Sequence, residues 1–117
     1  MAKEYTPDLQ KLFLEMMMQD AQNYVRVQNI FNPENFDRSL KDTATFIAEH
    51  STKHATLPTY EMVKASVGVE LKPIPDMLDG HNDWFMAEFE GFTKRQELER
   101  AILKSADMLE KGEYDPV

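Results

Sequence analysis

The chain has no cysteine. That excludes a disulfide framework and any thiolate nucleophile, and it fits a cytoplasmic compartment. Glycine is scarce, at positions 68, 80, 91 and 112. No phosphate-cradling pattern, neither GxxxxGK[ST] nor GxGxxG, can be assembled from four glycines so placed, which removes nucleotide hydrolysis from the functions of this segment. Long apolar runs are missing as well. Nothing approaches the length that spans a bilayer, and the opening MAKEYTPD is not a signal peptide. Basic residues are in short supply: 13 Lys and Arg stand against 21 Asp and Glu, for a net charge of −8. The one local basic excess, Lys94, Arg95, Arg100 and Lys104, is interrupted by Glu97 and Glu99. Nucleic-acid surfaces cluster Lys and Arg to displace counterions from phosphate, so strong autonomous DNA binding is not expected. An acidic balance suits a basic protein partner better.

What is present is the composition of one globular domain, 117 residues with 42% apolar and 29% charged side chains. The pattern is helical throughout. Thr6-Pro7-Asp8 combines an N-cap, a proline at the first helical position and an acid at the positive end of the dipole. Leu9, Leu12, Phe13 and Met16 follow at helical spacing to about Gln19. Tyr24, Val27, Gln28 and Phe31 predict a short second helix ended by Asn32-Pro33. Asp37 caps a third, with Leu40, Ala44, Ile47 and Ala48 on one face, reaching about Lys53. Leu57-Pro58-Thr59 breaks the chain and opens a fourth, which Gly68 ends. Two prolines keep residues 71–75 extended. From about Asn82 to Lys111 nothing interrupts the pattern, giving a helix of roughly 45 Å.

The expected fold is therefore all-α: a helical head of about four helices over residues 1–81, then a long C-terminal helix over 82–117 within the same domain. Phe85, Phe89 and Phe92, with Leu12, Phe13, Ile47 and Val63, are the predicted core. Trp84 is grouped with these aromatics, and two of Met16, Met17 and Met18 are expected inside. A second stripe on the long helix, Leu98, Ile102, Ala106 and Leu109, is offset from the first around Gln96. The first half of the helix should pack on the head while its second half protrudes. That stripe is open to two readings, a partner interface and ordinary internal packing.

Candidates for chemistry are few. His50 and His54 lie one helical turn apart with Glu49 nearby, but no third ligand at motif spacing joins them, and a solvated helix end is the simpler reading. His81 sits between Asp79 and Asp83 at an exposed helix start. Glu88 with Glu90, and Glu97 with Glu99, point to different helix faces and do not converge on a substrate. Nothing nominates Ser39, Ser51, Ser66 or Ser105 as a nucleophile. No catalytic, cofactor-binding or metal-binding residue is assigned, and the segment is not expected to be an enzyme.

The order of features resembles the N-terminal domain of DnaB-type replicative DNA helicases, closest to those of bacteriophages. The likeness rests on LQKLFLEMMMQD, a short second helix, FNPENFDRSLKDTATFIAEH, the break LPTYEMVKASVG, and NDWFMAEFEGFTKRQELERAILKSADMLEKGEYDP. Asn35-Phe36, Leu57-Pro58-Thr59 and the helix ending in Gly112-x-x-Asp115-Pro116 are its most telling pieces. The resemblance implies a helical head followed by an antiparallel hairpin, with Gly112 to Pro116 as the hairpin turn. A second hairpin helix, a linker and a RecA-like motor using ATP and Mg would follow. It implies a collar domain that assembles sister subunits and docks primase and sometimes a helicase loader, in a bacterial or phage-infected cell. Arg95, Leu98, Ile102 and Leu109 are the expected self-association residues. The alternative is a stand-alone small acidic helical adaptor or inhibitor that binds a basic protein, which a stop codon after Val117 would favour. A metal-dependent enzyme built on His50 and His54 is a third and remote reading.

Overall fold

A computed structural model describes the backbone of residues 4–111 and the side chains of residues 4–106. Among the described residues five α-helices run in chain order: α1 (Pro7–Gln19), α2 (Ala21–Val27), α3 (Arg38–His54), α4 (Tyr60–Val67) and α5 (Asp79–Lys111). A single 3-10 turn, Pro33–Asn35, precedes α3. No strand occurs among the described residues, and the all-α reading holds.

Local capping explains most of the boundaries. Thr6 Oγ1 accepts from the Leu9 N–H at 3.3 Å to open α1. Asp37 Oδ2 accepts from both the hydroxyl of Ser39, at 2.6 Å, and its N–H, at 3.0 Å, to open α3. Those two bonds, helped by the charge of Arg38, hold the Asp37 carboxyl below its ordinary range. Thr59 Oγ1 accepts from the Met62 N–H at 3.1 Å to open α4, and Gly68, at φ 75°, ends it.

Two boundaries differ from the expectation. The second helix occupies Ala21–Val27, not the stretch from Tyr24 to Phe31. Asp20 is the reason, because it serves both ends of a one-residue joint. Its own N–H closes α1 on the Met16 carbonyl at 3.3 Å, while its Oδ1 accepts from the Gln22 N–H at 2.9 Å and opens α2. Phe31 still reaches the core from the following loop, against Tyr24, Phe36 and Phe89. The long helix starts at Asp79, three residues before Asn82. Leu78 supports this early start: its carbonyl accepts from the N–H groups of His81 and Asn82, and its N–H donates to His81 Nδ1 at 3.0 Å.

The core is an aromatic cluster around Phe13 of α1. Its fully buried ring meets Phe85, Phe89 and Phe92 of α5 at centroid distances of 5.5–6.0 Å, partly edge-on. Phe36 closes on Phe92 at 5.2 Å. The core continues through Leu14 and Met17 of α1, Leu40, Ala44 and Ile47 of α3, and Val63 of α4. Met18 is partly buried, so two of the three consecutive methionines lie inside, as expected. Leu12, predicted in the core, packs against its edge instead and is half-buried. Trp84 departs further, at 41% exposed. It lies about 100° around the helix from Phe85 and so falls off the Phe85–Phe89–Phe92 face.

Polar braces tie the segments together. Buried Gln10 donates to the Tyr5 carbonyl at 2.8 Å and accepts from the Asp37 N–H at 2.6 Å, linking the N-terminal segment to the start of α3. Buried Asn23 donates to the Met16 carbonyl at 3.1 Å and to Asn82 Oδ1 at 3.0 Å, fastening α2 to α1 and α5. The extended segment after α4 is strapped to α1: Lys72 N–H donates to Glu15 Oε2 at 2.8 Å and Ile74 N–H to Gln19 Oε1 at 3.0 Å. Tyr60 donates to the same Gln19 oxygen at 3.2 Å. Burial, and then the charge of Glu15, pushes the Tyr60 hydroxyl pKa up.

The head leaves much of α5 unsupported. The radius of gyration is 16.3 Å, whereas a compact chain of this length has about 13 Å. The longest dimension, 56 Å, is close to the roughly 50 Å of a 33-residue helix.

Candidate interaction surface

Helix α5 changes character at Gln96. Up to that point one face is buried: Phe85, Phe89, Phe92 and Thr93 lie inside, and Gln96 on the same face donates to the Asn35 carbonyl at 2.8 Å. Past Gln96, Leu98, Ile102 and Leu103 are 61%, 59% and 68% exposed. At 100° per residue, Leu98, Ile102, Ala106 and Leu103 span an arc of about 140°; its Leu103 edge, five turns after Phe85, continues the buried face, and its Leu98 edge lies well to one side of it. An arc that wide is what a helix ordinarily buries against a neighbour.

Of the expected self-association residues, Leu98 and Ile102 sit on this exposed arc. Arg95 stands at its root, half-buried, where its Nε meets Glu99 Oε1 at 3.3 Å. An exposed pair one turn apart contributes only about 0.3–0.5 kcal/mol, so its value is in positioning. Leu109 lies outside the residues whose side chains are described, and Gly112 to Pro116 lies outside the described residues altogether. Leu103 belongs to the arc but not to the expected set. Its place was readable as the neighbour of Ile102, on a stripe drawn too narrowly.

A second apolar feature needs three separate segments to form. Leu12 and Met16 of α1, Ile74 and Met77 of the strap, and His81 and Trp84 of α5 line an open groove of about 240 Å³. The chain turns at Asp76, whose φ of 56° lies in the left-handed region that Asp tolerates. That turn carries the strap from Ile74 past Met77 into α5.

The histidines divide by role. His81 accepts a backbone N–H at the start of α5, which is a structural use of its ring. His50 and His54 bring their rings to 4.6 Å on the last turn of α3, beside Phe46. No set of three or more His, Asp or Glu side chains gathers there or elsewhere among the described residues in a way that could hold a metal ion. Ser39 is spent on capping.

Comparison with protein-family models, with curated proteins and with solved structures gave no match. The resemblance to the DnaB-type domain therefore rests on the residues quoted for it. Among the described residues no helix is long and apolar enough to cross a membrane.

Proposed function

We propose that the chain is a non-catalytic assembly and docking domain, the N-terminal collar domain of a DnaB-type hexameric replicative helicase. In this reading α5 is the first helix of a hairpin, and its outer half pairs with further helices: the second hairpin helix and those of sister subunits. Primase or a loader docks on the assembled collar. ATP and Mg belong to a motor domain beyond this segment.

One observation carries the reading. Past Gln96 the long helix keeps an apolar arc that the head does not cover, with Leu98, Ile102 and Leu103 each more than half exposed. Burying a Leu or Ile side chain fully is worth roughly 1.5–3 kcal/mol, so covering three of them is a substantial drive to associate. The net charge of −8 supports the second reading, a small acidic adaptor for a basic protein.

Sequencing the coding frame beyond Val117 separates the two. A second amphipathic helix, a linker and a GxxxxGK[ST] motif are expected for the collar domain. A stop codon at that point sinks the helicase assignment and leaves the adaptor.

A further inference from the structure

Two imidazoles stand side by side at the end of α3. His50 and His54 are one turn apart, with ring centroids 4.6 Å from each other and planes 48° apart. Phe46, one turn earlier, packs on the His50 ring at 5.8 Å and holds it in place. His50 is half-buried and His54 exposed, so the pair opens to solvent. The Nδ1 of His81 is spent on a backbone N–H, whereas neither ring of this pair has a hydrogen-bond partner among the described residues. Neutral imidazole nitrogens left free in this way are metal ligands.

The ring spacing selects the ion. A metal about 2.0–2.1 Å from one nitrogen of each ring, and in the plane of both, lies about 3.2 Å from each centroid. Rings bound about 90° apart then have centroids about 4.5 Å apart, and rings bound at the tetrahedral angle about 5.2 Å. The observed 4.6 Å matches the first. Neighbouring positions about 90° apart belong to the square-planar and tetragonal shells of Cu(II) and Ni(II), and Cu(II) heads the affinity order. Water completes such a shell, so two protein ligands suffice where no third His, Asp or Glu joins them among the described residues.

The surroundings do not oppose a cation. Glu49 and Lys53 line the same hollow as the two rings, one of each sign. His54 is the last residue of α3, where the end carbonyls carry the negative pole of the helix dipole.

We propose that His50 and His54 form a two-histidine chelate for a late first-row divalent metal ion, Cu(II) in first place, that clips the last turn of α3. Both nitrogens reach one ion only while the chain between them is helical, so the folded chain binds more tightly than the unfolded one. The site uses α3 alone and does not depend on the pairing proposed for α5.

The test titrates the intact chain with copper(II) chloride in a non-chelating buffer, by calorimetry and by thermal unfolding. One Cu(II) per chain and a rise in Tm are expected, with Mg(II) giving neither because it prefers oxygen ligands. The paramagnetic resonance spectrum of the complex should show two nitrogen ligands in a tetragonal shell. His50→Gln and His54→Gln should each weaken binding about tenfold or more, since the second imidazole meets an ion already held by the first at high effective concentration. His54 is exposed, so its substitution removes a ligand without threatening the fold. His81→Gln should leave the affinity unchanged. Failure to bind Cu(II) overturns the proposal. So does binding that survives His54→Gln, that is lost in His81→Gln, or that leaves Tm where it was, because the ion would then be adventitious only.

Discussion

Replacing Gly91 with alanine sets two local effects against each other. Gly91 lies inside α5, where alanine is favoured over glycine by about 0.8–1.0 kcal/mol. A Cβ added there would come 2.7 Å from the Tyr5 hydroxyl oxygen and 3.9 Å from Tyr5 Cζ. The second distance is ordinary contact; the first is not tolerated, and the hydroxyl must move by several tenths of an ångström. Tyr5 is not free to swing, because its ring packs on Phe92 at 5.4 Å and on Phe13 at 6.5 Å. Overpacking of this kind costs about 1–3 kcal/mol. Gly91→Ala alone should therefore be neutral to destabilising by up to about 2 kcal/mol. In a Tyr5→Phe background the offending oxygen is gone, and the same substitution should stabilise by about 1 kcal/mol, or about 4 °C in Tm for a chain this long. Urea unfolding followed by helix circular dichroism, across the four-member cycle, reads the coupling directly. Equal stabilisation by Gly91→Ala in both backgrounds would refute the placement of Tyr5 against α5.

Four further substitutions, at three positions, probe the head. Asp37→Ala should cost about 1 kcal/mol at neutral pH. Because the folded Asp37 pKa is lowered, its charge contributes stability above the unfolded carboxyl pKa, and that contribution is lost as pH falls below about 4 through the folded value. Asp37→Asn, which keeps an acceptor for the Ser39 N–H, should show a shallower acid limb in a pH series of denaturation midpoints. Thr43 is fully buried in α3 with no hydrogen-bond partner for its hydroxyl among the described residues, so the nearly isosteric Thr43→Val should stabilise by about 1 kcal/mol in thermal unfolding. Asn23→Ala removes one buried and one partly buried bond and takes the donor from the Asn82 amide oxygen, while the Met16 carbonyl keeps the Asp20 N–H; a loss of about 1–2 kcal/mol is expected from urea midpoints.

Helix starts were legible because their signals are local. Thr6, Asp37 and Thr59 each cap within three residues of themselves, and Gly68 stops α4 by its own backbone freedom. Asp20 hid the α1–α2 joint because a lone aspartate between apolar runs, with no Gly or Pro beside it, reads as a surface residue within or between helices. Gly80 lies before the expected start at Asn82, and its place in α5 depends on the bonds that His81 and Asn82 make to Leu78. The aromatic core followed from spacing on α1 and α5, whereas Trp84 fell outside it by one residue of helical phase. The exposed arc was visible in outline because it repeats along one helix. The groove was not, as its walls come from residues 12–16, 74–77 and 81–84, which no pattern along the chain connects. Gln10 and Asn23 were invisible for the same reason: each has a bond, to Asp37 and to Asn82, that runs to a residue distant in sequence.

The central claim is that the outer half of α5 is a pairing surface. Sedimentation equilibrium of the chain over a wide concentration range, beside Leu98→Asp/Ile102→Asp, addresses it most directly. The wild-type mass should rise above the 13.6 kDa of one chain with concentration, while the double variant stays at that mass with unchanged helix content. A wild-type chain that remains monomeric throughout, or a double variant that associates equally well, would contradict it.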